Sequence, residues 1–145
     1  MSDDLVKLYS GRILALAADI PHLGRLPAPQ GSARKRSPLC GSMVTVDVVL
    51  QDGRVAEFAQ DVKACALGQA AAAVLGGAAL GRSLPEVLAG RDALKAMLRD
   101  GGAPPAPPFD GFQVLIPARD YKNRHASILL AIEALAEAMQ AAGAA

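Results

Sequence analysis

The stretch MVTVDVVLQDGRVAEFAQDV, residues 43–62, decides the fold. Residues 43–50 are dominated by β-branched side chains, and alternation places Val44, Val46, Val48 and Leu50 on one face of a strand. Asp52-Gly53 follows, a dipeptide that readily adopts the positive φ angles of a tight hairpin turn. Residues 54–62 then return as the antiparallel partner strand. A third strand would come from a bend in the second or from a separate short segment, and the pattern does not choose between them.

On either side the periodicity changes to that of helices. Residues 4–18 carry Leu5, Leu8, Tyr9, Ile13 and Leu16, an apolar stripe at helical spacing despite Gly11. Between them and the hairpin, residues 21–38 are rich in Pro, Gly, Ser and basic side chains and read as a long loop. After the hairpin, residues 66–75 are Ala-rich and helix-prone, with Gly76-Gly77 expected to weaken or end that helix and Gly81 a later stop. Ser83-Leu-Pro-Glu86 matches a capping box and opens a short helix to about Ala89. Leu94, Met97 and Leu98 belong to another helix over 92–99, stopped by Gly101-Gly102. GGAPPAPP, residues 101–108, is neither helix nor central strand and acts as a stiff connector, after which Phe109, Phe112, Val114 and Leu115 re-enter the core. The last helix spans about 126–142, with Ile128, Ile132, Leu135 and Met139 forming its seam. This order predicts an α+β fold: a small antiparallel sheet (hairpin 43–50/54–62 plus a third strand) with an N-terminal helix and several further helices packed on it. The 145 residues suit a single domain, 1–145.

Half of the residues are hydrophobic, but 30 are alanines and only five are aromatic, so the core must be built from Leu, Val, Ile and tightly packed Ala helices. No apolar run approaches the roughly 20 residues that span a bilayer, and the acidic start Met1-Ser-Asp-Asp lacks the basic region of a signal peptide. The expectation is a cytoplasmic protein without a membrane partner. A net charge of +1 gives no general pull toward nucleic acid. The one basic cluster, Arg34-Lys35-Arg36, reads as a solvated loop or a docking patch for an acidic partner, with no aromatics interleaved to stack on bases.

Three residues could carry chemistry. Cys40 and Cys65 are the two cysteines, and in a reducing compartment a structural disulfide between them is not expected; inert thiols are the plain alternative. Cys40 lies in a turn just before the first hairpin strand, and Cys65 lies where the second strand gives way to the Ala-rich helix. A helix N-terminus stabilises a thiolate, which is both the nucleophile and the metal ligand. His125 opens the last helix, where the same field favours the neutral, metal-binding form of the imidazole; a polar cap is the plain alternative. His22 reads as an ordinary loop residue. No Ser/His/Asp, paired-carboxylate or Gly-rich phosphate motif supports hydrolase or kinase chemistry, so a stand-alone enzyme is not expected. Spacing alone does not bring the three residues together.

A resemblance does. Ser37-Pro-Leu-Cys-Gly-Ser42, then strand, tight turn, strand and Lys63-Ala-Cys-Ala-Leu-Gly-Gln-Ala70, resembles the N-P-x-C-G-D … G-C-x-x-x-x-A arrangement of the U-type iron–sulfur cluster assembly scaffolds, including a cysteine separation of about 25 residues. Leu8-Tyr-Ser … Pro21-His-Leu-Gly24-Arg25 is similar to that family's first helix and following loop. Pro117-Ala-Arg119 and Arg124-His-Ala-Ser-Ile-Leu129 resemble its P-x-R-x-x-C-x-x-L approach to the last helix, with residues 120–123 as an insertion. The likeness runs from about residue 5 to 140, in pattern only through the middle.

In that family three cysteines, an aspartate and often a histidine surround a site for a nascent iron–sulfur cluster or zinc; a cysteine desulfurase delivers sulfur, and the cluster passes to apo-proteins. The resemblance implies Cys40 and Cys65 at the first two cysteine positions and His125 just before the third. It also marks departures: the third cysteine position is Ala126, the aspartate position is Ser42, and the chaperone-recognition L-P-P-V-K is here Ile116-Pro-Ala-Arg-Asp120, so that chaperone is not expected. Two thiolates and one imidazole suit zinc, with water, Ser42 as a weak fourth ligand or a partner's side chain completing it. They also suit a two-iron cluster in which imidazole replaces thiolate, and the site could be shared across a homodimer. Two alternatives stay open: a metal-free interaction module that binds a desulfurase or assembly factor, and a persulfide relay in which Cys65 accepts sulfur.

Overall fold

The computed structural model describes residues 10–38 and 41–144. Three strands, β1 (Gly31–Arg36), β2 (Met43–Gln51) and β3 (Arg54–Lys63), form one antiparallel sheet in the order β1-β2-β3. The expected hairpin is β2–β3. Asp52 and Gly53 adopt φ of 54° and 76°, the left-handed pair that a two-residue hairpin turn requires. A register shift between Val49 and Leu50 kinks β2 just before the turn.

The third strand is a separate short segment, and it lies within the stretch that reads as a loop. GSARKR has little strand propensity of its own; pairing with β2, from Gly31 opposite Val48 to Arg36 opposite Met43, makes it a strand. The cluster at 34–36 is therefore part of an edge strand and not of a loop. Arg34 Nε donates to Thr45 Oγ1 at 3.2 Å, and Lys35 Nζ pairs with Glu137 at 3.0 Å. Charged side chains on a sheet edge discourage the addition of foreign strands.

Among the described residues, four α-helices and a 3₁₀ helix (Asp110–Asp120) accompany the sheet: α1 (Gly11–Ala17), α2 (Ala66–Ala78), α3 (Leu84–Arg99) and α4 (Lys122–Ala141). The portion of the first expected helix before Ser10 lies outside the described residues. Ser10 caps α1 through its hydroxyl, which accepts from the Ile13 amide at 3.4 Å. Contrary to expectation, α2 runs through Gly76-Gly77. A Cβ at Gly76 would lie 2.6 Å from Gln60 Nε2, so this glycine serves packing and not termination. The two short helices expected over 83–99 are one helix. Its start is the predicted capping box, with Ser83 Oγ accepting from the Glu86 amide and the Glu86 carboxylate accepting from the Ser83 amide. Gly90, in mid-helix, leaves a notch that Phe109 fills, since a Cβ there would be 2.6 Å from Phe109 Cδ2.

Helix α4 is the centre of the molecule, packing against β1, β2, α2 and α3. The predicted seam of Ile128, Ile132, Leu135 and Met139 is buried, and so are Leu129, Leu130 and Ala134, so the helix is covered on nearly every side. It lies close enough to β1 that a Cβ on Gly31 would overlap the Ala138 carbonyl oxygen and come within 2.9 Å of Ala142 Cβ. Val44, Val46, Val48 and Phe58 meet the helices from the sheet, with Leu67, Leu75, Leu94, Phe112 and Leu115 filling the space between. No helix among the described residues is long and apolar enough to cross a membrane.

The connection before β1 is tied to the sheet by one carboxylate. Asp47, fully buried on β2, accepts from Arg25 Nε at 2.6 Å and Nη2 at 3.0 Å, from the Leu26 amide at 3.0 Å and from Ser32 Oγ at 2.6 Å. The Arg25 hydrogen bond, helped by Ser32, Leu26 and the Arg25 charge, holds this carboxyl below its ordinary pKa against the opposing effect of burial. A carboxyl whose pKa is lowered by folding contributes stability above its unfolded pKa, near 3.9, and loses it as pH falls through the folded value. Asp47→Asn should therefore melt at a lower temperature than the parent at pH 7, with the gap closing as the pH is lowered below about 4. Thermal denaturation of the two proteins across pH 3–7 checks this.

Candidate functional site

Sheet register fixes where the two cysteine-bearing connections leave the sheet. Met43 at the start of β2 pairs with Arg36 at the end of β1 and with Lys63 at the end of β3. The β1–β2 connection, residues 37–42, and the β3–α2 connection therefore depart side by side. The first is closed by the Ser37 amide donating to the Ser42 carbonyl at 2.8 Å and the Gly41 amide donating to the Ser37 carbonyl at 3.0 Å. Cys40 belongs to this connection but lies outside the described residues.

Cys65 is the N-cap residue of α2, half-buried, with extended backbone (φ −67°, ψ 170°). Its Sγ lies 3.6 Å from Ser127 Oγ, and Ser127 Oγ donates to Ser42 Oγ at 3.0 Å. A chain of polar atoms thus runs from the thiol, through a buried hydroxyl on α4, to Ser42 in the β1–β2 connection. Burial alone would raise the Cys65 pKa and is the largest single influence. The Gly68 amide, the Ser127 hydroxyl, the Leu67 amide and the Arg124 charge together outweigh it, so the pKa falls below the ordinary thiol value. The predicted helix-terminus effect is present and takes the concrete form of these two amides.

Ser127 can reach the thiol because α2 begins with a missing side chain. A Cβ on Gly68 would sit 2.6 Å from Ser127 Oγ and 2.8 Å from Ala64 Cβ. Ser127 heads a small-residue face of α4 continued by Ala131, Ala134 and Ala138, all buried. Sequence reading passed over Ser127, and the available signal was a hydroxyl at the head of that alanine row.

His125 lies in the first turn of α4 and is buried. Its Nε2 is 3.1 Å from the Ala118 carbonyl and 3.0 Å from the Arg119 carbonyl. Both partners only accept, which places a proton on Nε2; in the neutral ring the lone pair is then on Nδ1. A backbone carbonyl holding one imidazole nitrogen while the other stays basic is the usual support of a metal-binding histidine. Arg119 anchors this peptide: its guanidinium donates to the Met97 carbonyl at 2.8 Å and the Gly102 carbonyl at 3.2 Å, closing the C-terminal end of α3.

The structure thus joins Cys65 to Ser42 through Ser127, while no hydrogen bond among the described residues links His125 to Cys65. Among the described residues no three His, Cys, Asp or Glu side chains converge, a statement that does not include Cys40. His22 is a loop residue as expected, at φ 60°, its ring set edge-on to Phe58 with centroids 5.8 Å apart.

The crystal structure of a nitrogen-fixing NifU-like protein (N-terminal) from Brucella abortus matches this chain with a TM-score of 0.93 and 40% sequence identity, covering 96% of each chain. The chain belongs to the U-type iron–sulfur scaffold family. A second match is the crystal structure of a protein described as an iron–sulfur cluster assembly scaffold for the SUF system, from thermophilic Fervidobacterium islandicum AW-1 (TM-score 0.81, 18% identity, 92% of this chain and 98% of that one). A third is a hypothetical protein (TM-score 0.78, 21% identity, 93% and 98%); at these identities the last two bear on the fold alone. No family model and no curated protein matches the sequence. The resemblance in sequence sets Ala126 at the family's third cysteine position and Ser42 at its aspartate position.

Two outcomes follow from the Cys65 geometry. Ser127→Ala removes a hydrogen bond that favours the thiolate, so the midpoint of Cys65 alkylation against pH, read by peptide mass spectrometry, should move up. Gly68→Ala forces a methyl into the Ser127 contact and should lower stability by about 1–3 kcal/mol, measured by denaturant unfolding.

Proposed function

We propose that this protein acts in iron–sulfur cluster assembly as a scaffold-type carrier. Its cargo, a transient cluster, iron or zinc, is held by Cys40, Cys65 and His125, with Ser42 as a weak fourth ligand. The observation that supports this reading is the Cys65–Ser127–Ser42 contact, which links a thiol of lowered pKa to Ser42, two residues from Cys40 in the sequence. The donor set fits a metal cargo: a thiol biased toward thiolate, and an imidazole whose Nε2 is occupied by carbonyls so that Nδ1 keeps its lone pair. The absence of a carboxylate at position 42 makes the set less negative than that of ordinary family members and leaves the fourth position to be shared among the weak ligand Ser42, water or a partner's side chain.

The partners are a cysteine desulfurase as sulfur donor and apo-proteins as acceptors. The low Cys65 pKa also favours a sulfur-relay step at the same residue. The Cys65 thiolate attacks the outer sulfur of a desulfurase persulfide, a new S–S bond forms on Cys65, and the desulfurase cysteine leaves as thiolate. A homodimer sharing the fourth position is compatible with the same ligands.

Anaerobic incubation with ferrous iron, sulfide and a cysteine desulfurase should give a coloured protein with sulfur-to-iron charge-transfer absorbance. Cys65→Ser should lose it, and His125→Ala should bind iron or zinc at least ~10-fold more weakly, a change of about 1.4 kcal/mol. A colourless, metal-free product from folded protein, with desulfurase binding unaffected by Cys40→Ser and Cys65→Ser, would sink this reading in favour of a metal-free interaction module.

A further inference from the structure

The C-terminal end of α3 and the first turn of α4 border a cavity of about 430 Å³, lined by Arg99, Lys122, His125 and Ala126. The two cations in its lining are not ion-paired among the described residues. Arg25, Lys35, Arg54, Arg82, Arg91 and Lys95 each have a carboxylate partner, whereas neither Arg99 nor Lys122 has one among the described residues. Both are exposed, so each can turn its charge toward a ligand without breaking an existing contact. No side chain caps α4, and the positive end of this 20-residue helix adds to the field at the same place. His125, buried and held by Nε2, contributes a fixed polar wall. The remaining wall is the Ala126 methyl.

We propose that this cavity binds the carboxylate of a small organic acid. Arg99 offers parallel N–H donors that match a carboxylate's two oxygens, and Lys122 supplies a second point charge. The Ala126 wall suits the hydrocarbon body of an organic acid. An inorganic phosphate, with oxygen on every side, would leave acceptors facing that methyl. The volume falls within the range of small-molecule pockets, about 300–1,000 Å³. This site does not depend on cluster or metal binding.

The test uses isotope-labelled, chelator-treated full-length protein titrated with malonate, with inorganic phosphate and ionic-strength-matched sodium chloride as comparisons. Amide NMR shifts of residues 122–126 should saturate with malonate, at an affinity at least ~10-fold above that for phosphate. Arg99→Gln combined with Lys122→Gln, two exposed positions that leave the core intact, should weaken malonate at least ~10-fold. Non-saturating shifts that match chloride, equal or tighter binding of phosphate, or unchanged malonate affinity in the double variant would each overturn the proposal. Loss of cluster reconstitution with malonate binding retained would count against the scaffold reading and leave this one standing.

Discussion

The architecture rests on one constraint: α4 lies at backbone distance from two neighbours at once. It meets β1 where Gly31 faces the Ala138 carbonyl, and α2 where Gly68 faces Ser127. Neither contact leaves room for a methyl group, and close-packed interiors transmit displacements of that size. The abundance of alanine and the scarcity of aromatic side chains follow from this geometry, because helices this close cannot hold large residues between them. The buried row Ser127, Ala131, Ala134 and Ala138 is the visible trace of the constraint along α4. The candidate site inherits its position from the same contact, since Ser127 touches Cys65 only if α4 and the start of α2 stay in register.

Much of the fold was legible because its determinants are local. The β2–β3 hairpin carries its alternation and its Asp52-Gly53 turn in adjacent residues, and the Ser83–Glu86 box marks the start of α3 within one turn of chain. What escaped is what other parts of the molecule impose. Strand β1 exists because β2 offers it hydrogen bonds, and nothing in Gly-Ser-Ala-Arg-Lys-Arg announces a strand. Gly76 and Gly90 look like helix breakers until Gln60 and Phe109 are seen to occupy the space of their absent side chains. At the site, thiol activation at Cys65 and the placement of His125 in the first turn of α4 were readable from chain order. Ser127 was not, because a buried serine between apolar seam residues shows its role only once α2 is packed against it.

Ser42 sets the electrostatic character of the surroundings of Cys65. A carboxylate there would bring a full negative charge beside the thiol and oppose its ionisation. With a hydroxyl in that place, the hydrogen-bonding groups at Cys65 among the described residues are neutral, and the formal charge that acts on the thiol there is the positive Arg124. The surroundings therefore favour a sulfur anion more than a site built around a carboxylate would.

The anchoring of Arg119 has a consequence for how the molecule breathes. Its side chain closes the last turn of α3 while its own carbonyl steadies the imidazole of His125, so one peptide unit serves both tasks. Fraying at the end of α3 and reorientation of the imidazole are consequently coupled events. By thermodynamic reciprocity, whatever fastens the ring damps that fraying, and whatever loosens the helix end frees the ring.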